Sequence, residues 1–541
     1  MTTRALRISL LTAALLLGAR LVHAVGPLEY PDNGSASFSR GGAWLATATD
    51  PIATHYNPAA LATQATSASL EMNFNFNKVC FARLNPGDEA TGPVQGPDDD
   101  APTRYLGACN DMSGFPRFIP SAALVYRASE TLGFGFAVLP PSAYGTAEGE
   151  WPDTSKVFSE TTGRTLDGPA SYRFMVAGNE STILLPTLAV GYEIFQGFRV
   201  GAGFIWGVAL IDVPTFGMSQ VDPADRGDRA ADDSKSRLRT DDLFLPGGIL
   251  AVHWSLTENI DVAAWGRWLD SIKTSRGTLD VTTTYWNNDL NAGPGPNAID
   301  HTIKDEDVRR FEFRPIPPEV RVGIRFHLPR EPEPPKMNPS TLEPEVAPPG
   351  GFAVRDPLRD DLFDVELNGS YTLNTASDRI IVRFPQDPDG TAHVPLAVGQ
   401  LPPNADRITG YEDTFGLRLG GQLNVIRNKL GIRAGTWYES QAADDKWLHV
   451  APVPAERGGF GGGVVLRQDH FDFSLGYQYH WSTPMDNGGN GALRANAGEI
   501  AGADEFRLGE GPHPFRTYHT INGGRVTQSA HAFTLGGVYR F

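Results

Sequence analysis

The chain has 541 residues, 40% of them hydrophobic, with 59 glycines and 42 prolines. Its 29 Phe, 15 Tyr and 10 Trp favour β structure over a helical bundle. A net charge of -17 argues against a nucleic-acid binder, which needs clustered Lys and Arg, and fits an acidic, solvated exterior.

Arg4 and Arg7 precede an apolar run that ends in Val22, His23 and Ala24, the pattern of a secretory leader, so residues 1–24 are set aside as a signal peptide. The next segment, 25–65, is rich in small residues and broken at Asn57 and Pro58. No later run approaches the ~20 apolar residues of a spanning helix, which leaves a soluble protein or a β-barrel. The only two cysteines, Cys80 and Cys109, read as a single disulfide in an exported chain. A metal site would need more ligands nearby, and a catalytic thiol a partner histidine.

From residue 68 onward, segments alternate strictly between apolar and polar residues. In "FDFSLGYQYHW", Phe471, Phe473, Leu475, Tyr477, Tyr479 and Trp481 share one face, a period of two over eleven residues. Comparable segments begin at Ala68, Pro120, Thr131, Leu184, Phe198, Gly247, Ile260, Glu319, Asp361, Thr414, Lys429, Gly458 and His531, making fourteen. Most reach the ~9 to 11 residues of a tilted membrane strand. Tight turns at Ser129-Glu130, Gln196-Gly197, Glu258-Asn259, Arg427-Asn428 and 468–470 alternate with long polar links. Short turns on one side and long loops on the other are the asymmetry of outer-membrane barrels, and fourteen strands put both termini on the periplasmic side. A proline-rich excursion at 329–361 interrupts the short-turn side and reads as a stiff extended link. The fold expected is therefore an all-β transmembrane antiparallel barrel of about fourteen strands over residues 66–541. Its last strand ends in the aromatic Phe541, as a barrel presented to an assembly machinery does.

An Arg or Lys facing lipid at mid-membrane costs ~2 to 4 kcal/mol, so charged phases point into the lumen. That rule turns Asp364, Glu366, Asn368, Arg418 and Arg433 inward, together with Gly416, Gly420, Gly431, Gly435, Gly461 and Gly463. Such glycines either ease strand curvature or leave room for something inside. A barrel of this width must hold water or a plug, and residues 25–65 are the available plug.

Several stretches resemble the FadL-type outer-membrane transporters of long-chain fatty acids and other hydrophobic compounds. "TDPIATHYNPAAL" is similar to the family's N-terminal hatch motif, with Asn57, Pro58 and Ala59. "YEDTFGLRLGGQLNVIRNKLGIRAGTWYE" is similar to a late hairpin, "APVPAER" to the segment beyond it, and the terminal "YRF" fits as well. The resemblance implies a fourteen-stranded barrel in the outer membrane of a Gram-negative bacterium, closed by an N-terminal hatch inside the lumen. It implies passive uptake without catalysis, cofactor or metal. Arg433 in "LGIRAG" would contact ligand, or else form a structural salt bridge in the lumen, with Arg418, of the same phase, ranked below it. Lateral release near a kinked third strand would fall at Pro140 and Pro141, which by themselves read more simply as the end of that strand. The expected partners are a long-chain fatty acid or other hydrophobic small molecule, outer-membrane lipid with lipopolysaccharide, and the barrel assembly machinery. A water-filled porin, a surface receptor or structural barrel, and a lipid-acting barrel enzyme stay as alternatives. The carboxylate runs at 98–100 and 387–390 read as solvated loop charge rather than cation sites.

Overall fold

The computed structural model describes residues 32–84, 94–95, 102–111, 117–141, 151–159, 163–175, 181–218, 233–274, 277–283, 299–303, 310–331, 354–383, 395–396, 399–400, 407–493 and 520–541. The expected leader, the carboxylate runs at 98–100 and 387–390, and most of the proline-rich excursion lie outside them.

Fourteen strands close into one antiparallel barrel. They are β1 (Ser67–Arg83), β2 (Arg117–Arg127), β3 (Leu132–Leu139), β4 (Thr182–Phe195), β5 (Phe198–Met218), β6 (Asp233–Ser255) and β7 (Ile260–Leu269). The circuit continues with β8 (Glu319–Pro329), β9 (Asp361–Thr372), β10 (Thr414–Ile426), β11 (Leu430–Glu439), β12 (Arg457–Gln468), β13 (Phe471–Ser482) and β14 (Gly524–Arg540). Each contains one of the fourteen alternating segments. β14 returns to pair with β1 from Ser67↔Arg540 to Arg83↔Gly524, which removes any free sheet edge. Among the described residues no helix is long and apolar enough to cross a membrane.

The tight turns gather at one end, called the turn end below. They work because Gly197, Asn428 and Asp469 take positive φ (86°, 55° and 54°), the conformation that Gly, Asn and Asp tolerate best in short hairpins. At the opposite, loop end, β5 and β6 run to 21 and 23 residues, roughly twice the span of a bilayer. Also at the loop end, the short strand Ala108–Asp111 is tied to β1 by the Cys80–Cys109 disulfide.

Alternation has the sense that lipid demands. Leu367, Leu419 and Ile432 face outward and are exposed, while Asp364, Glu366 and Asn368 are buried inside. Exposed aromatics mark both rims of the outer apolar band, with Tyr126, Phe195 and Phe326 near the turn end and Trp206, Trp268 and Phe415 near the loop end.

The lumen is filled by the chain's own N-terminal part. Residues 32–64 are buried, apart from half-buried Thr49. This inner segment holds helix α1 (Ser35–Ser39), helix α2 (Ala53–Tyr56) and a 3-10 helix, Pro58–Thr63. The last of these begins on the predicted tripeptide. Asn57 precedes a proline and is held extended (φ −161°, ψ 80°), and Pro58 occupies the first helical turn, where its missing N–H costs nothing.

Candidate functional site

Charged groups seat the inner segment against one side of the wall. Arg40 donates from Nε to the carbonyl of Ala43 (2.8 Å) and from Nη2 to Thr47 Oγ1 (3.1 Å) and to the Asp364 carboxylate. Glu366 accepts from the backbone N–H of Ala46 (2.8 Å) and of Thr47 (2.9 Å). Asp32 Oδ2 accepts from Arg321 Nη1 at 2.5 Å. Hydrogen bonds to charged groups are worth ~1.5 to 3 kcal/mol each, so this side acts as the anchor. Asn57 holds the fold of the segment itself, donating from Nδ2 to the carbonyl of Leu45 at 2.7 Å.

Bare backbone receives the segment elsewhere. A Cβ on Gly133, Gly191 or Gly201, on three successive strands, would lie 2.1, 2.3 and 2.2 Å from Leu61 O, Pro58 O and Ala59 N. The 3-10 helix therefore rests directly on the strands, and any side chain at these positions would displace it. Gly420 and Gly435 play the same part for the Arg40 carbonyl, and Gly463 for Ser39 Oγ. Gly416, Gly431 and Gly461 instead make room for the wall side chains Ser370, Asn424 and Gln478. Half of the lumen glycines picked from the sequence thus sheathe the inner segment.

On the β4–β7 side the lumen is apolar. Ile183, Leu185, Ile205, Ile211, Leu245 and Ile249 form one buried cluster with Trp265 and Leu269. It touches the inner segment at Leu45, Ala46 and Ala59 and extends to Phe311, Phe313 and Ile316 before β8.

Where this wall meets β8, three arginines surround one carboxylate. Glu319 lies 2.6 Å from Arg321 Nε, 3.7 Å from Arg267 Nη2 and 3.9 Å from Arg418 Nη2. The Arg321 guanidinium also stands over the rings of Trp265 (5.1 Å) and Tyr56 (5.7 Å), as cation–π pairs do. Trp265 Nε1 donates to the His55 carbonyl at 2.9 Å.

The inner segment feels this field. Burial disfavours the charged form of Asp32, but the guanidiniums of Arg321, Arg418 and Arg267 outweigh it and hold the carboxyl below its ordinary range. Burial, then Arg267 and Arg321, keep His55 neutral far below the usual imidazole value. Burial and the neighbouring Glu71 carboxylate push Asp50 well above the usual carboxylate value.

The two arginines singled out by the sequence occupy different levels. Inward positions on β10 run Arg418, Gly420, Gln422, and the Arg40 carbonyl sits on Gly420. Arg418 stands in the triad on the loop side of that contact. Arg433 stands on the turn side, donating from Nε to Gln422 Oε1 (2.7 Å) and from Nη1 to Ser474 Oγ (3.3 Å). It lines a cavity of about 30 Å³ with Arg40, Arg467 and Asp472, room for little more than water. Pro140 and Pro141 directly follow β3, whose register runs unshifted to Val138 against β2 and to Leu139 against β4, and the Pro140 carbonyl accepts from Asn33 Nδ2 at 2.7 Å. Among the described residues no group of His, Cys, Asp and Glu could hold a metal ion.

Sequence reading missed Arg267, Arg321 and Trp265. The lumen rule that turned Arg418 inward applies equally to Arg267 in "WGRW" and Arg321 in "EVRVG", and would have found both.

Solved structures share this architecture. A Pseudomonas aeruginosa FadL homologue matches with a TM-score of 0.60 at 14% identity, over 96% of this chain and 100% of that one. The chain has the FadL-type fold. The Pseudomonas putida toluene transporter TodX superposes on this FadL-type barrel with a TM-score of 0.52 at 12% identity, over 95% and 99% of the two chains. The CymD monoaromatic hydrocarbon channel gives 0.50 at 13%, over 96% and 98%. No family model and no curated relative matches the sequence.

Proposed function

We propose that this FadL-type barrel lies in the outer membrane, turn end toward the periplasm, and passes hydrophobic small molecules inward without chemistry. The observation that carries this reading is the apolar wall of β4–β7, which runs from the loop end to a plugged lumen and ends beside Arg267, Arg321 and Arg418. A water-filled porin has no use for either feature.

The inner segment serves as the hatch, with Asn57, Pro58 and Ala59 at its pivot, and ligand binding loosens its seat. The finer assignment is a long-chain monocarboxylate. Burying an acyl chain at ~0.8 kcal/mol per methylene supplies affinity, and a charged hydrogen bond of ~1.5 to 3 kcal/mol supplies orientation. Arg418, within the triad, orients the head group on this reading, and Arg433 meets it only after the hatch has moved. Release is sideways at Pro140 and Pro141, where β3 leaves the wall. TodX and CymD are named for toluene and monoaromatic hydrocarbons, so a neutral ligand is the second reading, favoured by the apolar cluster on β4–β7. Lipid and lipopolysaccharide contact the outer band. The C-terminal strand, with Phe541 exposed on it, is offered to the assembly machinery.

Native mass spectrometry of detergent-purified protein tests the reading. A copurifying fatty acid, displaced by added oleate and lost in Arg321→Ala with Arg418→Ala, is the expected result. Absence of any bound or competing apolar molecule refutes it.

A further inference from the structure

The C-terminal part of the proline-rich excursion, residues 354–360, crosses the turn end directly beneath the inner segment. Two adjacent residues of opposite charge reach different parts of the wall. Arg355 donates from Nη2 to Asp261 on β7, and its Nη1 lies 3.0 Å from Nε2 of His253 on β6. Asp356 accepts from Arg467 on β12, with Nη2 to Oδ1 at 3.1 Å. Helix α3 (Pro357–Asp360) then fixes the strip to a third site. The Pro357 carbonyl accepts from Asn424 Nδ2 (2.7 Å), that of Leu358 from the Asn428 N–H (2.9 Å), and the Leu358 side chain is buried.

The strip also holds the inner segment. The Arg355 N–H donates to the carbonyl of Thr63, the last residue of the 3-10 helix, at 3.0 Å. The same His253 Nε2 that faces Arg355 lies 3.0 Å from the Ala46 carbonyl. Both ends of the 18-residue stretch from Ala46 to Thr63 are thereby tied, directly or through one side chain, to Arg355. Downward or tilting motion of that stretch must break these bonds, whereas motion of the loop end leaves them intact.

We propose that residues 354–360 form a latch that bars the turn end of the lumen and ties the inner segment shut, so that the lumen opens only when Arg355 and Asp356 leave the wall. The turn-side face of the latch is exposed, and there Arg359 and Asp360 pair with each other at 2.7 Å. This inference is independent of which ligand the barrel carries.

The test uses full-length protein in planar bilayers and in hydrogen exchange. In Arg355→Ala with Asp356→Ala, amides of residues 53–64 exchange at least about tenfold faster and steady ionic currents increase, because two partly buried ion pairs are lost. Arg359→Ala, which touches neither wall, matches the unaltered protein. In Thr63→Cys with Arg355→Cys, the oxidised form is closed and slowly exchanging and the reduced form leaks. The unaltered protein under the same reductant controls for the Cys80–Cys109 bond. Heat-modifiable migration on a gel scores folding of the barrel, and if the alanine pair fails to fold, the cysteine pair decides alone. Exchange and currents unchanged in the folded alanine pair, or an oxidised cysteine pair that conducts as readily as its reduced form, overturn the proposal.

Discussion

Inward positions on β4–β6 carry Ile183, Leu185, Ile205, Ile211, Leu245 and Ile249, whereas those on β8–β10 carry Arg321, Arg325, Asp364, Glu366, Asn368 and Arg418. Both sets are buried in the same barrel, the apolar one nearer the loop end and the charged one nearer the turn end, yet their uses differ. Charged pairs are directional and costly to break singly, so the β8–β10 side fixes a registered object, the inner segment. Apolar contact is non-directional and scales with area, so the β4–β6 side suits a molecule that slides. On the proposed function, one half of the lumen holds the inner segment still and the other half lets a ligand pass.

Four experiments break or sharpen this division, in falling order of effect. Deleting residues 35–62 removes what the polar half holds. The barrel still folds, since its ladder closes through β1 and β14 alone, but it conducts ions steadily in planar bilayers. A tightly closed barrel after the deletion would mean that the segment is not the seal.

Next comes Glu366→Ala, which strips the Ala46 and Thr47 amides of their acceptor and leaves Arg40 with less counter-charge. Breaking one partner of a buried charged contact costs ~3 to 5 kcal/mol, so the segment's amides exchange faster by two orders of magnitude or more while the strands keep their protection. Uniformly faster exchange would instead place Glu366 among the supports of the barrel.

On the opposite wall, Ile249→Asn removes none of the charged contacts that anchor the segment and lowers affinity for an apolar ligand about tenfold, since roughly 1.5 kcal/mol of side-chain burial is lost. Titration calorimetry checks it, with basal conductance as the control that stays constant.

The smallest effect is a pH dependence from His55. Its neutral form is held in the seated state, so below its ordinary value of 6.5 the unseated state takes up a proton that the seated state refuses. Seating is thus fully stable above pH 6.5 and loses up to ~1.4 kcal/mol per pH unit below it. Currents recorded from pH 7.5 to 5.5 rise in the unaltered protein and rise less in His55→Gln. Asp50, with its raised value, titrates in the opposite sense, but equally in both proteins, so their difference isolates His55. Asp32, held below 3.8, stays charged throughout.

The strands were legible because lipid imposes a strict rule. "FDFSLGYQYHW" and "DLFDVELNGSY" alternate since one face meets hydrocarbon and the other does not, and every such segment became a barrel strand. The extra lengths of β5 and β6 were not legible: beyond the bilayer nothing forces "DSKSRLRTDD" to alternate apolar with polar. At the site, Asn57, Pro58 and Ala59 were readable as a break and came to lie in the lumen, and Arg418 was readable from its phase. Gly133, Gly191 and Gly201 were not, because a glycine's role as a seat depends on what lies above it, and that belongs to a segment over seventy residues away. The latch was hidden in the same way. A proline-rich link announces stiffness, but nothing local says that Arg355 and Asp356 point into different walls.

Thr66, the residue before β1, carries a consequence for assembly. Its carbonyl accepts from the N–H of Phe541, the final residue, at 3.0 Å, and its hydroxyl accepts from the Arg127 N–H at 3.1 Å. The root of the inner segment is therefore sewn to the last stitch of the barrel. Pairing of β1 with β14 is the most distant strand pairing among the described residues, and contacts of that separation form late because the entropy of closing the loop comes first. While this seam is open, the root of the plug is held to β2 through Arg127 but not to β14. Closing the ring and fixing the root of the inner segment to both of its neighbouring strands are then one event.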